Sequence, residues 1–261
     1  MHVSLEGKQA LVGGSSKGIG RAIALQLAAS GASVTLVARS ETLLKELSDE
    51  LQQSTGRVHQ YLVADYTDLA GYQTLIEGFL EENPMDILIN NTQGPPAGTS
   101  LEMTIEDYQQ AFDLLFKTAV FTTLKALPHM QKQGWGRIIN IASVSVREPL
   151  NYLALSNSIR SGLVSWAKTL AGDVGPFGIT VNSVLTGYFN TERLQQLNDK
   201  KAETMGVSPE EVRAKLIGQV PARRLGRPEE YGYLAAFLAS DKAAYLNGAA
   251  IPLDGGLLRS Y

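Results

Sequence analysis

The stretch LVGGSSKGIG, Leu11 to Gly20, decides the fold. Gln9 to Val12 read as a short strand that runs into glycines. Ile19, Ile23 and Leu27 then fall on one face of a helix. Strand, glycine turn and helix in that order leave bare amides at the helix start, where the dipole favours an anion. A pyrophosphate docks in this way, and glycines let the backbone approach it closely. The spacing Gly14, Gly18, Gly20 is G-x-x-x-G-x-G, whereas the general dinucleotide fingerprint is G-x-G-x-x-G. Alone, the loop is also compatible with an ordinary strand–helix turn. The residues it offers a cofactor are Gly14, Ser15, Ser16, Lys17, Gly18, Ile19 and Gly20.

Outward from this loop, strand-like and helical runs alternate. Strands are predicted at Ser33 to Ala38, Val58 to Ala64, Asp86 to Asn90, Arg137 to Ala142, Ile179 to Val184 and Ala249 to Leu253. Helices are predicted at Glu41 to Gln53, at Thr67 to Glu82 with Thr67 or Asp68 as cap, and within Ile105 to Gln131 with a bend near Pro128. Further helices fall at Tyr152 to Asp173 and Glu229 to Ala239, and Thr191 to Val220 is charged and helix-prone. The alternation implies an α/β fold: a Rossmann-type, doubly wound parallel sheet in three α/β/α layers, as a single domain. Ligands of such sheets sit beyond the C-terminal strand ends. Gly14, Arg39, Asp65, Asn91, Ser143 and Thr186 are therefore expected to border one crevice.

Composition narrows the class. The 261 residues carry a net charge of −3, which argues against nucleic acid as the main partner. With no cysteine, disulfides and thiol nucleophiles are excluded, and a reducing compartment fits. His2, His59 and His129 have no metal-ligand spacing, so no metal is expected. The start MHVSLEGK lacks a signal-peptide core and no apolar run reaches membrane-spanning length, so a cytoplasmic protein with no membrane partner is expected.

Six ordered motifs carry a resemblance over nearly the whole chain. They are GGSSKGIG, ADYTD, ILINNT, GRIINIAS, GITVNSVLTGYFNT and the pair RLGRPEE and LDGG. Together they resemble the short-chain dehydrogenase/reductase family, most of all its 3-oxoacyl-(acyl-carrier-protein) reductase branch. Gly13 stands where threonine is usual, Thr92 and Gln93 displace Ala-Gly, and Thr186 replaces proline. The resemblance implies cofactor contacts from Asp65, Tyr66, Asn91, Thr92, Thr186, Gly187 and Thr191, and a substrate lid over about 187–220. Asp65 is read as an adenine ligand or as a helix cap.

The strand Ser33 to Ala38 should end at the adenosine ribose, where a carboxylate would repel a 2′-phosphate. Here Ala38 is followed by Arg39, with Lys17 nearby in the loop. Two cations and no acid favour NADP(H). Arg39 as a solvated helix-opening residue is the competing reading.

In the family, a serine orients the carbonyl, a tyrosine about thirteen residues on carries the proton, and a lysine four residues later holds the ribose. An asparagine on the preceding helix supports a water relay. Ser143 matches the serine. The register of SGLVSWAKTLA puts Ser156 at the tyrosine position and Arg160 at the lysine position, with Arg160 still able to bind the ribose. AFDLLFKTAVF places Phe116 at the asparagine position. A serine hydroxyl is a far weaker acid than a phenol, and arginine does not deprotonate near neutrality. Tyr152, one turn before Ser156 if the helix includes it, and Tyr188 are candidate substitutes, or else they only line the pocket. Trp166 reads as core. The leading expectation is an NADP(H)-dependent oxidoreductase acting on a small-molecule or acyl-carrier-linked carbonyl. The alternative is an impaired NADP(H)-binding sensor or partner protein. A homo-oligomer, tetramer or dimer, is implied by the resemblance.

Overall fold

Each central strand feeds two cores, because its alternate residues point to opposite faces and nearly all of them are apolar. Ala10 and Val12 enter one core and Leu11 the other; Ile87 and Ile89 are divided from Leu88 in the same way. In a computed structural model, which describes residues 2–260, these strands form one sheet of seven. They are β1 (Gln9–Gly13), β2 (Ser33–Ala38), β3 (Gln60–Val63), β4 (Ile87–Asn90), β5 (Gly136–Ile141), β6 (Ile179–Thr186) and β7 (Ala250–Leu253). The order is β3-β2-β1-β4-β5-β6-β7 and every pair is parallel. The winding reverses between β1 and β4, which opens a crevice beyond their C-terminal ends. Met1, which opens the N-terminal stretch MHVSLEGK, and Tyr261 lie outside the described residues.

Helices α1 (Gly18–Ala29), α2 (Glu41–Thr55) and α9 (Pro228–Ala239) cover one face. Helices α3 (Leu69–Glu82), α5 (Thr118–Gln133) and α6 (Ala154–Val174) cover the other. Ile23 and Leu27 of α1 are wholly buried, each worth about 1.5–3 kcal/mol of transfer free energy. Helix α4 (Ile105–Phe112) precedes α5, while α7 (Glu192–Met205) and α8 (Pro209–Gln219) follow β6 over the strand ends.

Several expected boundaries move. α6 begins at Ala154, so Tyr152 precedes the helix and does not share the face of Ser156. The long helix is interrupted by a π-helical turn at Asp113–Lys117, and Pro128 sits inside α5 without ending it. Helix α3 starts at Leu69, and Asp68 caps it by accepting from the Gly71 amide at 3.0 Å. β3 is shorter than expected because His59 replaces a ladder bond, its Nδ1 accepting from the Val34 amide at 3.1 Å. β6 runs on to Thr186, paired with Leu253 of β7.

At the opposite, N-terminal end of the strands lies a cluster of polar groups and tryptophan. Arg137 is buried and donates to the carbonyls of Gly136 (2.9 Å) and Gly178 (3.1 Å), with Asp241 at 3.1 Å. Lys8 and Arg137 both stack on the Trp135 ring. Buried Asp86 accepts from the Gln9 amide at 2.8 Å and from Gln133 at 2.6 Å.

Candidate active site

The glycine loop between β1 and α1 can be filled only by glycine at its tight points. Gly14 and Gly18 have φ of +56° and +55°, and a Cβ on Gly20 would stand 2.1 Å from the Gly14 carbonyl oxygen. Asn91 Nδ2 donates to the Gly13 carbonyl at 3.0 Å, and the buried Tyr66 hydroxyl accepts from the Gly14 amide at 3.3 Å. Ser15, expected to face the cofactor, is instead fully buried and stitches the loop to β2, its Oγ accepting from the Val37 amide at 2.9 Å. The first turn of α1 contains no acid, and Lys17 at its N-cap supplies no side-chain cap. Uncapped amides at a helix start, behind a glycine cradle, fit a diphosphate.

A cleft of about 1000 Å³ runs from this loop across the strand ends. At one end it is walled by Ser16, Lys17, Gly18, Ile19, Gly20, Ala38, Arg39 and Tyr66. Arg39 makes no ion pair among the described residues, and no carboxylate stands with it on the wall there, which suits a 2′-phosphate. Lys17 is already engaged, its Nζ 2.8 Å from Glu192 on α7. Asp65 does not line the cleft. Its exposed carboxylate accepts from the Thr67 amide (2.9 Å) and hydroxyl (2.8 Å), which lower its pKa, and it is not the cap of α3 either. Asn91, Thr92, Thr186, Gly187 and Thr191 do line the cleft. Thr191 caps α7 and lays its methyl against Gly18, 3.4 Å from where a Cβ would stand.

The other end of the cleft gathers Ser143, Tyr152, Ser156, Arg160, Tyr188 and Arg193. Ser143 follows β5, and its Oγ accepts from the Ser145 amide at 3.1 Å. That bond fixes the rotamer and leaves the hydroxyl proton to be donated. Ser156, in the first turn of α6, is buried. Arg160 lies four residues further on and donates to the Ile141 carbonyl. Burial pushes its guanidinium down to about 10, so it remains charged at neutral pH. Phe116, in the π-helical turn, stacks on Phe112 at 4.9 Å and meets Trp166 edge-on at 6.2 Å. An aromatic cluster therefore occupies the position where the family carries a relay asparagine, and Trp166 packs half-buried against the core rather than inside it.

The two tyrosines meet at this end. Burial raises the pKa of both, and their hydroxyls interact, which raises Tyr152 further and partly offsets the rise at Tyr188. Neither is lowered by a cation. Lys201 of α7 stacks on the Tyr152 ring at 4.8 Å, and the Tyr152 carbonyl accepts from the Gly98 amide at 2.8 Å. Thr186, in the proline position, bonds the hydroxyl of buried Tyr231 at 3.0 Å.

Two of these residues were not singled out from sequence. Arg193 reads there as one of many charges in a solvated helix pair, and Tyr231 as an ordinary helix position. Only the fold brings Arg193 Nη2 to the Pro95 carbonyl, at 2.8 Å, and the Tyr231 hydroxyl to Thr186.

Residues 14–258 match the family model described as enoyl-(acyl carrier protein) reductase. The 3-oxoacyl-(acyl-carrier-protein) reductase FabG of Escherichia coli is 36% identical over 257 residues, covering 98% of this chain and 99% of the relative. The structure of L-sorbose reductase from Gluconobacter frateurii, complexed with NADPH and L-sorbose, superposes with a TM-score of 0.93 at 30% identity, covering 100% of each chain. A 3-oxoacyl (acyl-carrier-protein) reductase from Agrobacterium tumefaciens C58 with NADP bound has a TM-score of 0.86 at 27% identity, covering 97% of this chain and 95% of that one.

Proposed function

The chain belongs to the short-chain dehydrogenase/reductase family, and on that premise we propose how its altered site works. The protein is an NADP(H)-dependent oxidoreductase of the 3-oxoacyl-(acyl-carrier-protein) reductase type. Bound NADP(H) supplies or accepts the hydride. The glycine loop and the α1 amides hold the diphosphate, Arg39 the 2′-phosphate, and Asn91, Thr92, Thr186, Gly187 and Thr191 the nicotinamide half. Ser143 donates to the carbonyl oxygen of a small-molecule or acyl-carrier-linked substrate. Arg160 holds the ribose with a charge that does not titrate near neutrality.

The proton donor is the weak point of this set. Ser156 is too poor an acid and too short to replace a phenol, so the proton reaches the substrate oxygen from a water held by Arg160, or from Tyr152 or Tyr188. Residues 187–220 act as the substrate lid, the protein works in the cytoplasm, and it assembles as a homotetramer. A single cleft that joins the phosphate loop and Arg39 to Ser143, Ser156 and Arg160 carries the reading.

The test is NADPH oxidation with a 3-oxoacyl thioester. Slow turnover is expected of the wild type. The double change Ser156→Tyr with Arg160→Lys should raise it by about 10²-fold or more, the usual contribution of a positioned general acid. A robust wild-type rate that survives Tyr152→Phe and Tyr188→Phe but not Ser156→Ala would make Ser156 the donor. NADPH binding without turnover of any carbonyl, in any of these variants, overturns the enzyme reading.

A further inference from the structure

The reaction end of the cleft is rich in donors and poor in acceptors. Arg160 and Arg193 both reach it, and neither makes an ion pair among the described residues; each is bonded instead to a backbone carbonyl. Among the described residues, the one carboxylate on the cleft wall, Glu192, is taken by Lys17. Ser143 and the Tyr152–Tyr188 pair add further hydroxyls. The cofactor's phosphates have their own partners at the other end, so they do not account for this charge.

We propose that the substrate is itself an anion, a short oxo acid whose carboxylate is held by Arg193 while its carbonyl faces Ser143. The proposal rests on the oxidoreductase reading and narrows its substrate class.

Three observations support it. Arg193 sits in the first turn of α7, where the helix dipole disfavours a cation. Its guanidinium is anchored, with Nη2 on the Pro95 carbonyl and the head lying 3.4 Å from where a Cβ on Gly94 would stand. A fixed fork with donors to spare is what a carboxylate binds in bidentate fashion. Burial also disfavours the charge of the Arg160 guanidinium, and Arg193, itself exposed, lowers its pKa further. A bound anion relieves both costs, whereas a neutral acyl thioester relieves neither. The chemistry balances without a new reactant: the carbonyl carbon gains a hydride, its oxygen gains a proton, and the carboxylate passes through unchanged.

The test is binding, so it is independent of turnover. Protein saturated with NADP+ is titrated calorimetrically with 2-oxobutanoate, 3-oxobutanoate and 4-oxopentanoate, and with the methyl ester of each. At least one acid should bind ten times more tightly than its own ester. In Arg193→Gln that ratio should fall at least fivefold, with NADP+ affinity within tenfold of wild type. Arg193→Lys, which keeps the charge and loses the fork, should retain part of the preference and guards against a misfolded variant. An acid-to-ester ratio below ten for all three pairs, including no binding at all, overturns the proposal. So does a ratio that survives Arg193→Gln. A greater than tenfold loss of NADP+ affinity in that variant assigns Arg193 to the cofactor and likewise overturns it. Failure of the wild type to bind NADP+ would instead strike the functional reading on which the proposal rests.

Discussion

At Arg160, charge and proton chemistry separate. A lysine there can lower a neighbouring phenol and titrate within reach of neutrality; a guanidinium tied to the Ile141 carbonyl keeps its charge and its plane but exchanges no proton. At the far end of the cleft Arg39 has a simpler role. It should make NADPH bind at least tenfold more tightly than NADH, about 1.4 kcal/mol, and Arg39→Asp should reverse the order. Equal affinities of the unaltered protein for the two, in titration calorimetry, would refute this. Gly14, Gly18, Arg39 and Ser143 were legible in the sequence because strand ends and glycine spacing fix where they stand. Side-chain partners far along the chain were not. Ser15 turns inward to Val37, Lys17 is met by a glutamate 175 residues away, and Asp65 spends its carboxylate on Thr67.

Elements were legible by type and less so by boundary, because local periodicity does not report substituted ladder bonds or changes of helix pitch. β3 begins late because a histidine ring does the work of a backbone carbonyl. The turn at Asp113–Lys117 leaves no trace in the apolar pattern, yet it sets the orientation of Phe116, and π turns within helices are frequent at functional sites. Helix α9 starts on Pro228, with Glu230 accepting from the Arg227 amide at 2.7 Å and from both terminal nitrogens of Arg224. The Arg224 guanidinium and that amide hold the Glu230 carboxyl down to about 2. A pKa lowered on folding stabilises above the ordinary carboxylate range, and the gain is lost as pH falls from about 4.5 toward 2. Glu230→Gln should therefore melt about 1–3 °C below wild type at neutral pH, in keeping with an exposed ion pair, and the gap should close over that acid window. A gap that stays constant down to pH 2 would remove the carboxylate from the explanation.

For the whole molecule, two apolar surfaces bear on assembly. On one side of the sheet Leu124 of α5 is exposed and Phe112, Phe116 and Trp166 are half-buried; on the other Tyr233 of α9 is exposed, as are Tyr245 and Leu246 further along the chain. Two separate patches on one chain suit a tetramer with two kinds of contact. Light scattering at micromolar concentration should give a mass four times the 28.2 kDa chain, and a monomeric mass would refute the assembly. A different consequence follows from the cluster around Arg137, Trp135 and Asp86. It locks the starts of the strands, whereas every group assigned to chemistry lies past their ends. The packing that holds the strand starts is therefore independent of Ser156 and Arg160, so placing a phenol and an ammonium at those two positions leaves that packing untouched.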